Sequence, residues 1–136
     1  MAKSVSESPV WPMVAVKDLA RARKFYEEVL GYEPMPGMTG DWGATYPGAD
    51  GTGLSIYQSD DNAGTNKATY AVWKVDDLKQ AVKDLREKGV KFEEYDIPEI
   101  ELKTEDGIAT YEEGGKKMMN AWFKDPDGNI FSLMEV

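Results

Sequence analysis

The chemistry open to this chain is set first by what it lacks. Its 136 residues include no His and no Cys. His is the usual acid–base group near neutral pH and the commonest metal ligand, so no His-dependent triad or His-bearing metal site can exist here. The absence of Cys removes disulfides, thiolate metal sites and Cys nucleophiles. Ser55 and Ser132 could attack a substrate only with an activating base, and neither stands in a nucleophile-elbow sequence. Tyr57 or Tyr70 could donate a proton, and Asp96, Glu99 or Glu101 could accept one if a loop folded them over a cavity. No residue is assigned a catalytic role on this basis. Asp125-Pro-Asp-Gly-Asn129 invites comparison with a calcium loop, but Pro126 interrupts it and the full ligand spacing is missing. A tight turn between strands is the better reading.

Charge narrows the partners. The net charge of −9 opposes attraction to phosphate backbones, so nucleic acid is not expected as a partner. Between Glu93 and Glu113 nine acidic residues stand against Lys103 alone. The segment reads as a solvated loop, with a rim that attracts cationic ligands as the alternative. The stretch Met1 to Pro9 is polar and has no apolar signal core, and the longest apolar run, Val10 to Val16, is too short to span a bilayer. A cytoplasmic protein with no membrane partner is expected. With 41% hydrophobic and 30% charged residues, the chain has the composition of a folded domain throughout.

The elements that must position these groups repeat. Val10 to Val16 is a β-rich run; Asp18 then opens a helical spacing of Leu19, Ala22, Tyr26, Val29 and Leu30, and Gly31 ends it. Short strands are expected around Tyr32–Met35, Trp42–Tyr46 and Gly53–Gln58. After the polar linker 59–66 the order returns: strand at Ala68–Val75, cap at Asp76-Asp77, helix through Leu78, Ala81, Val82 and Leu85, stop at Gly89, strand at Val90–Tyr95. Val16-Lys17-Asp18-Leu19 aligns on Val75-Asp76-Asp77-Leu78 at an offset of 59, whereas Gly31 and Gly89 miss that offset by one residue. Leu54-Ser55-Ile56 matches Phe131-Ser132-Leu133. Residues 1–136 are therefore expected to form one α+β domain of two tandem βαβββ modules, 10–58 and 67–136, building a curved, antiparallel-rich mixed sheet with helices on its convex face. The concave face is left free for a ligand.

At this point the residues resemble a family. The run Val14-Ala-Val-Lys-Asp-Leu-Ala-Arg-Ala-Arg-Lys-Phe-Tyr-Glu-Glu-Val-Leu-Gly31, the start of the second half at Val75-Asp-Asp-Leu78, and Asp125-Pro-Asp-Gly-Asn129 before an apolar final strand are together similar to the vicinal oxygen chelate superfamily, the glyoxalase/bleomycin resistance/dioxygenase group. The resemblance covers about residues 10–136 and implies that fold and a homodimer. It also implies four metal-ligand positions on the concave face, which here match Trp11, Ser55, Tyr70 and Ser132. None is a strong divalent-metal ligand, so no metal and no other cofactor is expected, and glyoxalase-type isomerisation and extradiol cleavage are not carried over.

Strand alternation then places Trp11, Met13, Ser55, Tyr57, Tyr70, Val72, Ser132 and Met134 on the concave face, an aromatic lining with a few hydroxyls. Such a surface suits a flat, partly polar small molecule, preferably cationic, held by stacking and oriented by hydroxyls. For each residue singly, core filling is the competing explanation. The leading expectation is a drug- or metabolite-binding protein resembling the bleomycin resistance branch. The alternative is a metal-independent isomerase or lyase using Tyr and carboxylate groups.

Overall fold

The computed structural model describes residues 4–136; Met1, Ala2 and Lys3 of the polar N-terminal stretch lie outside them. The chain divides into two compact units after Gly64. Its strands hydrogen-bond as two sheets, one in each unit, rather than along a single ladder.

In the first unit, β1 (Met13–Val16) leads into α1 (Leu19–Lys24), whose first turn is capped by the Asp18 carboxylate accepting from Arg21 N–H at 3.1 Å. The helix continues as a π-helical turn, Phe25–Val29, closed by Leu30 N–H donating to the Phe25 carbonyl. The one-residue mismatch between the two halves explains it. Between cap and glycine stop the first helix holds one residue more than the second, and a helix absorbs a single extra residue as a π-bulge. β2 (Gly43–Pro47) and β3 (Gly53–Gln58) complete a three-stranded sheet in the order β1-β3-β2, with β1 parallel and β2 antiparallel to β3. Register puts Val14, Ile56 and Ala44 on one face, with Leu54 and Tyr46, and Tyr26 of the helix stacks on Tyr46 at 6.1 Å. All of these are fully or almost fully buried.

The strand expected at Tyr32–Met35 does not form. Pro34 and Pro36 remove alternate backbone donors, and contact with β2 is made by Met35 N–H to the Thr45 carbonyl at 2.8 Å.

The second unit is a six-stranded sheet, β4-β9-β8-β7-β6-β5, covered on one face by α2 (Leu78–Glu87). Its strands are β4 (Thr69–Lys74), β5 (Asp96–Ile97), β6 (Leu102–Glu105), β7 (Ile108–Glu113), β8 (Lys116–Lys124) and β9 (Ile130–Glu135). The start of α2 is held twice: Asp77 accepts from Gln80 N–H, and Glu135 at the end of β9 accepts from Leu78 N–H at 2.9 Å. Under the helix lie Phe123, Phe131 and Trp73, with ring centroids 5.2–6.0 Å apart.

Two expectations are corrected in this unit. Val90–Tyr95 is not a strand but a single bridge, Phe92 to Phe123, because β7 already occupies that edge of β8 as far as Asn120. The acidic segment is largely a meander of β5, β6 and β7 rather than a loop. Pairing across strands outweighs composition here: Glu112 lies opposite Lys117, while Thr104 and Ala109 turn inward as a pair. From Glu94 to Glu112 its carboxylates stay exposed, and half-buried Glu93 pairs with Lys124 at 3.1 Å. Among the described residues no helix is long and apolar enough to cross a membrane.

Candidate functional site

In the first unit, the face turned away from α1 carries Met13 opposite Ser55 and Thr45 opposite Ser55, with Tyr57 beside Ala15 and Gly43. Ser55 and Thr45 are buried, and Met13 is exposed. Trp11 stands on the same side but is committed to the fold. Its indole N–H donates to the Gly51 carbonyl at 2.9 Å, and its ring lies over Gly53 so closely that an added Cβ would sit 2.6 Å from it.

In the second unit, the face turned away from α2 carries Val72 opposite Ser132 and Met134 two residues further along β9. Tyr70 does not join them. A β-bulge sets Thr69 against Ile130 and Ala71 against Phe131, leaving Tyr70 as the extra residue. The kink turns its ring to the helix-covered side, 6.1 Å from Phe131, which corrects its expected concave position.

Strand β8, which the sequence reading passed over, supplies the groups that matter most. Trp122 stands opposite Ser132, and Asn120 opposite Met134. Asn120 Nδ2 donates to Ser132 Oγ at 3.2 Å, and Ser132 Oγ donates to the Leu133 carbonyl at 3.1 Å. Tyr111 of β7 donates its phenol proton to Asn120 Oδ1 at 2.5 Å. Ser132 and Asn120 are 1% and 8% exposed, whereas Tyr111 at 40% reaches solvent. Trp122 meets Tyr95 edge to face at 5.4 Å. Burial, with Glu93 nearby, raises the Tyr95 phenol above its usual range, so Tyr95 is neutral at physiological pH. The alternation Met118, Asn120, Trp122 was the available signal for this strand.

The result is a half-buried aromatic corner beside a hydrogen-bonded line running from an exposed phenol to a buried hydroxyl. Every hydroxyl proton on that line points inward. What remains for a ligand is the outer lone pairs of the Tyr111 oxygen and the second N–H of Asn120. The candidate bases Asp96, Glu99 and Glu101 are exposed on β5 and the turn after it.

The four positions matched to metal ligands do not fit a divalent ion. Trp11 offers an indole N–H already donated to Gly51, Tyr70 turns to Phe131, Ser132 is engaged by Asn120 and Leu133, and Ser55 is a neutral hydroxyl. Among the described residues no group of three or more His, Cys, Asp or Glu could hold a metal ion.

A family model described as Glyoxalase/Bleomycin resistance protein/Dioxygenase superfamily matches residues 8–133. Among solved structures, the glyoxalase/bleomycin resistance protein from Catenulispora acidiphila DSM 44928 is similar at a TM-score of 0.65 and 24% identity, over 96% of this chain and 99% of that one. TnmS3, an antibiotic binding protein from Streptomyces sp. CB03234, is similar at 0.65 and 22%, over 99% and 98%. The glyoxalase/bleomycin resistance protein/dioxygenase from Alicyclobacillus acidocaldarius reaches 0.69 at 17%, over 95% and 91%. No curated protein sequence matches. At these identities the likeness is one of fold.

Proposed function

This chain belongs to the glyoxalase/bleomycin resistance protein/dioxygenase superfamily, and we propose that it is a metal-free protein that binds a planar small molecule on the face of its second sheet turned away from α2. The observation that carries this reading is the Tyr111–Asn120–Ser132 line beside the Trp122–Tyr95 corner. A flat ring stacks on Trp122, and a donor on its edge meets the Tyr111 oxygen. Val72, at 49% exposure, and half-buried Met134 extend the apolar part of the surface. Trp122 thus takes the anchoring part that the sequence assigned to Trp11 and Tyr70. In the first unit, Met13, Ser55 and Tyr57 remain candidates for a further contact surface.

A preference for positive charge follows from the exposed carboxylates along β5, β6 and β7, which bias the field at that end of the sheet. TnmS3, of the same fold, is an antibiotic binding protein, which supports a small-molecule role. The absence of His and the donor chemistry of the four matched positions support binding without a metal.

Titration with planar aromatic probes, including bleomycin-like glycopeptides and polycyclic cations, is expected to change tryptophan fluorescence. Trp122→Ala should weaken the tightest probe by about 1–3 kcal/mol, the usual scale for a packed aromatic anchor. Tyr111→Phe is the gentler check, removing the phenol oxygen while keeping the ring. The proposal fails if no probe registers, or if both variants leave a measured affinity unchanged. Native mass spectrometry of protein taken directly from cells reads the remaining parts: bound organic mass, no metal, and the homodimer carried over from the family. Recovery of the bound molecule in altered form would favour the metal-independent enzyme instead.

A further inference from the structure

On the other side of the same sheet, between α2 and the hairpin β6–β7, the second unit carries an open groove of about 1010 Å³. Its floor includes Val82 and Ile108. On the helix wall Lys79 and Lys83 stand four residues apart, so their charges repeat at about 6 Å along α2. On the strand wall Lys103 lies between Glu101 and Glu105. One end is closed by Arg86, which pairs with Asp106 at 3.3 Å, donates to the Asp106 carbonyl at 2.9 Å and lies over the Phe92 ring at 5.5 Å.

Lys79, Lys83, Glu101, Lys103 and Glu105 make no ion pair with one another or with any other charge among the described residues. Their charges are therefore available to a guest. In a chain of net charge −9, this groove gathers four cations, Lys79, Lys83, Arg86 and Lys103, against four carboxylates. A locally balanced groove with separated charges selects for pattern rather than net charge.

We propose that this groove binds an extended peptide segment carrying both charges, its acidic side chains toward Lys79 and Lys83 and its basic ones toward Glu101 and Glu105. An extended chain sends successive side chains to opposite sides, and its same-side repeat of about 6.6 Å matches the spacing of the two lysines. Acidic residues at every second position therefore meet Lys79 and Lys83, while basic residues four apart on the other side meet Glu101 and Glu105 and leave a neutral residue opposite Lys103. A run of one charge followed by a run of the other cannot meet both walls at once. The segment's backbone lies over Val82 and Ile108. This site lies on the opposite face from the proposed small-molecule surface and does not depend on it.

The test uses the full chain and two fluorescein-labelled hexapeptides of equal composition and net charge, Glu-Lys-Glu-Ser-Glu-Lys and Glu-Glu-Glu-Ser-Lys-Lys, followed by fluorescence anisotropy. The alternating peptide is expected to bind about tenfold more tightly than the block peptide. Lys83→Glu and Glu105→Lys, both at exposed side chains and each checked for folding by circular dichroism, should each weaken it by about fivefold to tenfold, and 0.5 M NaCl should do the same. Equal affinity for the two peptides, no anisotropy change with either, or indifference to both charge reversals would overturn the proposal.

Discussion

Replacing Asp125 tests how the turn before β9 is held. Asp125 is 5% exposed and Asn129 0%. The Asp125 Oδ1 accepts from the backbone N–H of Asp127 and of Asn129, each at 2.9 Å, and Oδ2 accepts from Asn129 Nδ2 at 2.8 Å. The backbone closes the same turn, Asp125 N–H to the Asn129 carbonyl at 2.9 Å and Gly128 N–H to the Asp125 carbonyl at 3.0 Å. Asp125→Ala removes one acceptor group from three donors. Hydrogen bonds to a charged group are worth about 1.5–3 kcal/mol each, but these three share one turn and do not add in full. The expected loss is about 3–5 kcal/mol, a large share of a typical domain's stability. Asp125→Asn keeps Oδ1 but sets an amide against Asn129 Nδ2, at about 1–3 kcal/mol. Urea denaturation followed by circular dichroism, with and without millimolar Ca²⁺, measures both losses. A loss below about 1 kcal/mol for the Ala variant would refute the reasoning, since surface substitutions of no structural consequence cost about that little. A wild-type midpoint raised by Ca²⁺ would revive the calcium-loop reading against the turn.

Two further outcomes follow from the first unit. Arg23, bonded to Glu27 at 2.6 Å, holds the Glu27 carboxyl below its usual value of 4.5, against the opposing effect of burial. Because the folded value is the lower one, this stabilisation is complete above pH 4.5 and is lost as pH falls through the folded value, so the wild type should lose more stability than Glu27→Gln on acidification below pH 4.5. Parallel acid-dependent loss in both proteins would contradict this. Gly43→Ala would place a Cβ 2.0 Å from the Ile56 carbonyl oxygen and 2.9 Å from the Tyr57 Cα, both main chain and unable to yield cheaply. It should cost about 2–4 kcal/mol in urea denaturation. Gly40→Ala, which meets only the Trp42 ring at 3.5 Å, should be far milder.

Much of the fold was legible because its signals are local. Asp18 and Asp77 cap their helices through amides three residues on, and Gly31 and Gly89 adopt the positive φ that ends them. The paired alternations Val14–Val16 and Leu54–Ile56 face the helix because side chains on a strand alternate whatever lies next to it. The absence of His is a matter of composition that no packing alters.

Local signals in the sequence therefore specify the two capped helices with their glycine stops, the strands β1 to β4 and β9, and the donor chemistry that is ruled out. The tertiary structure decided which residues meet. Tyr70 left its expected face because a bulge depends on two strands being out of step by one residue, and β4 and β9 lie some sixty residues apart in the chain. The acidic segment became a meander because strand pairing is a property of the partner: Lys117 on β8 compensates Glu112, and composition within the segment cannot register that. Tyr111, Asn120 and Ser132 form one line only when β7, β8 and β9 take this register, since a slip of one residue would turn Asn120 to the opposite face.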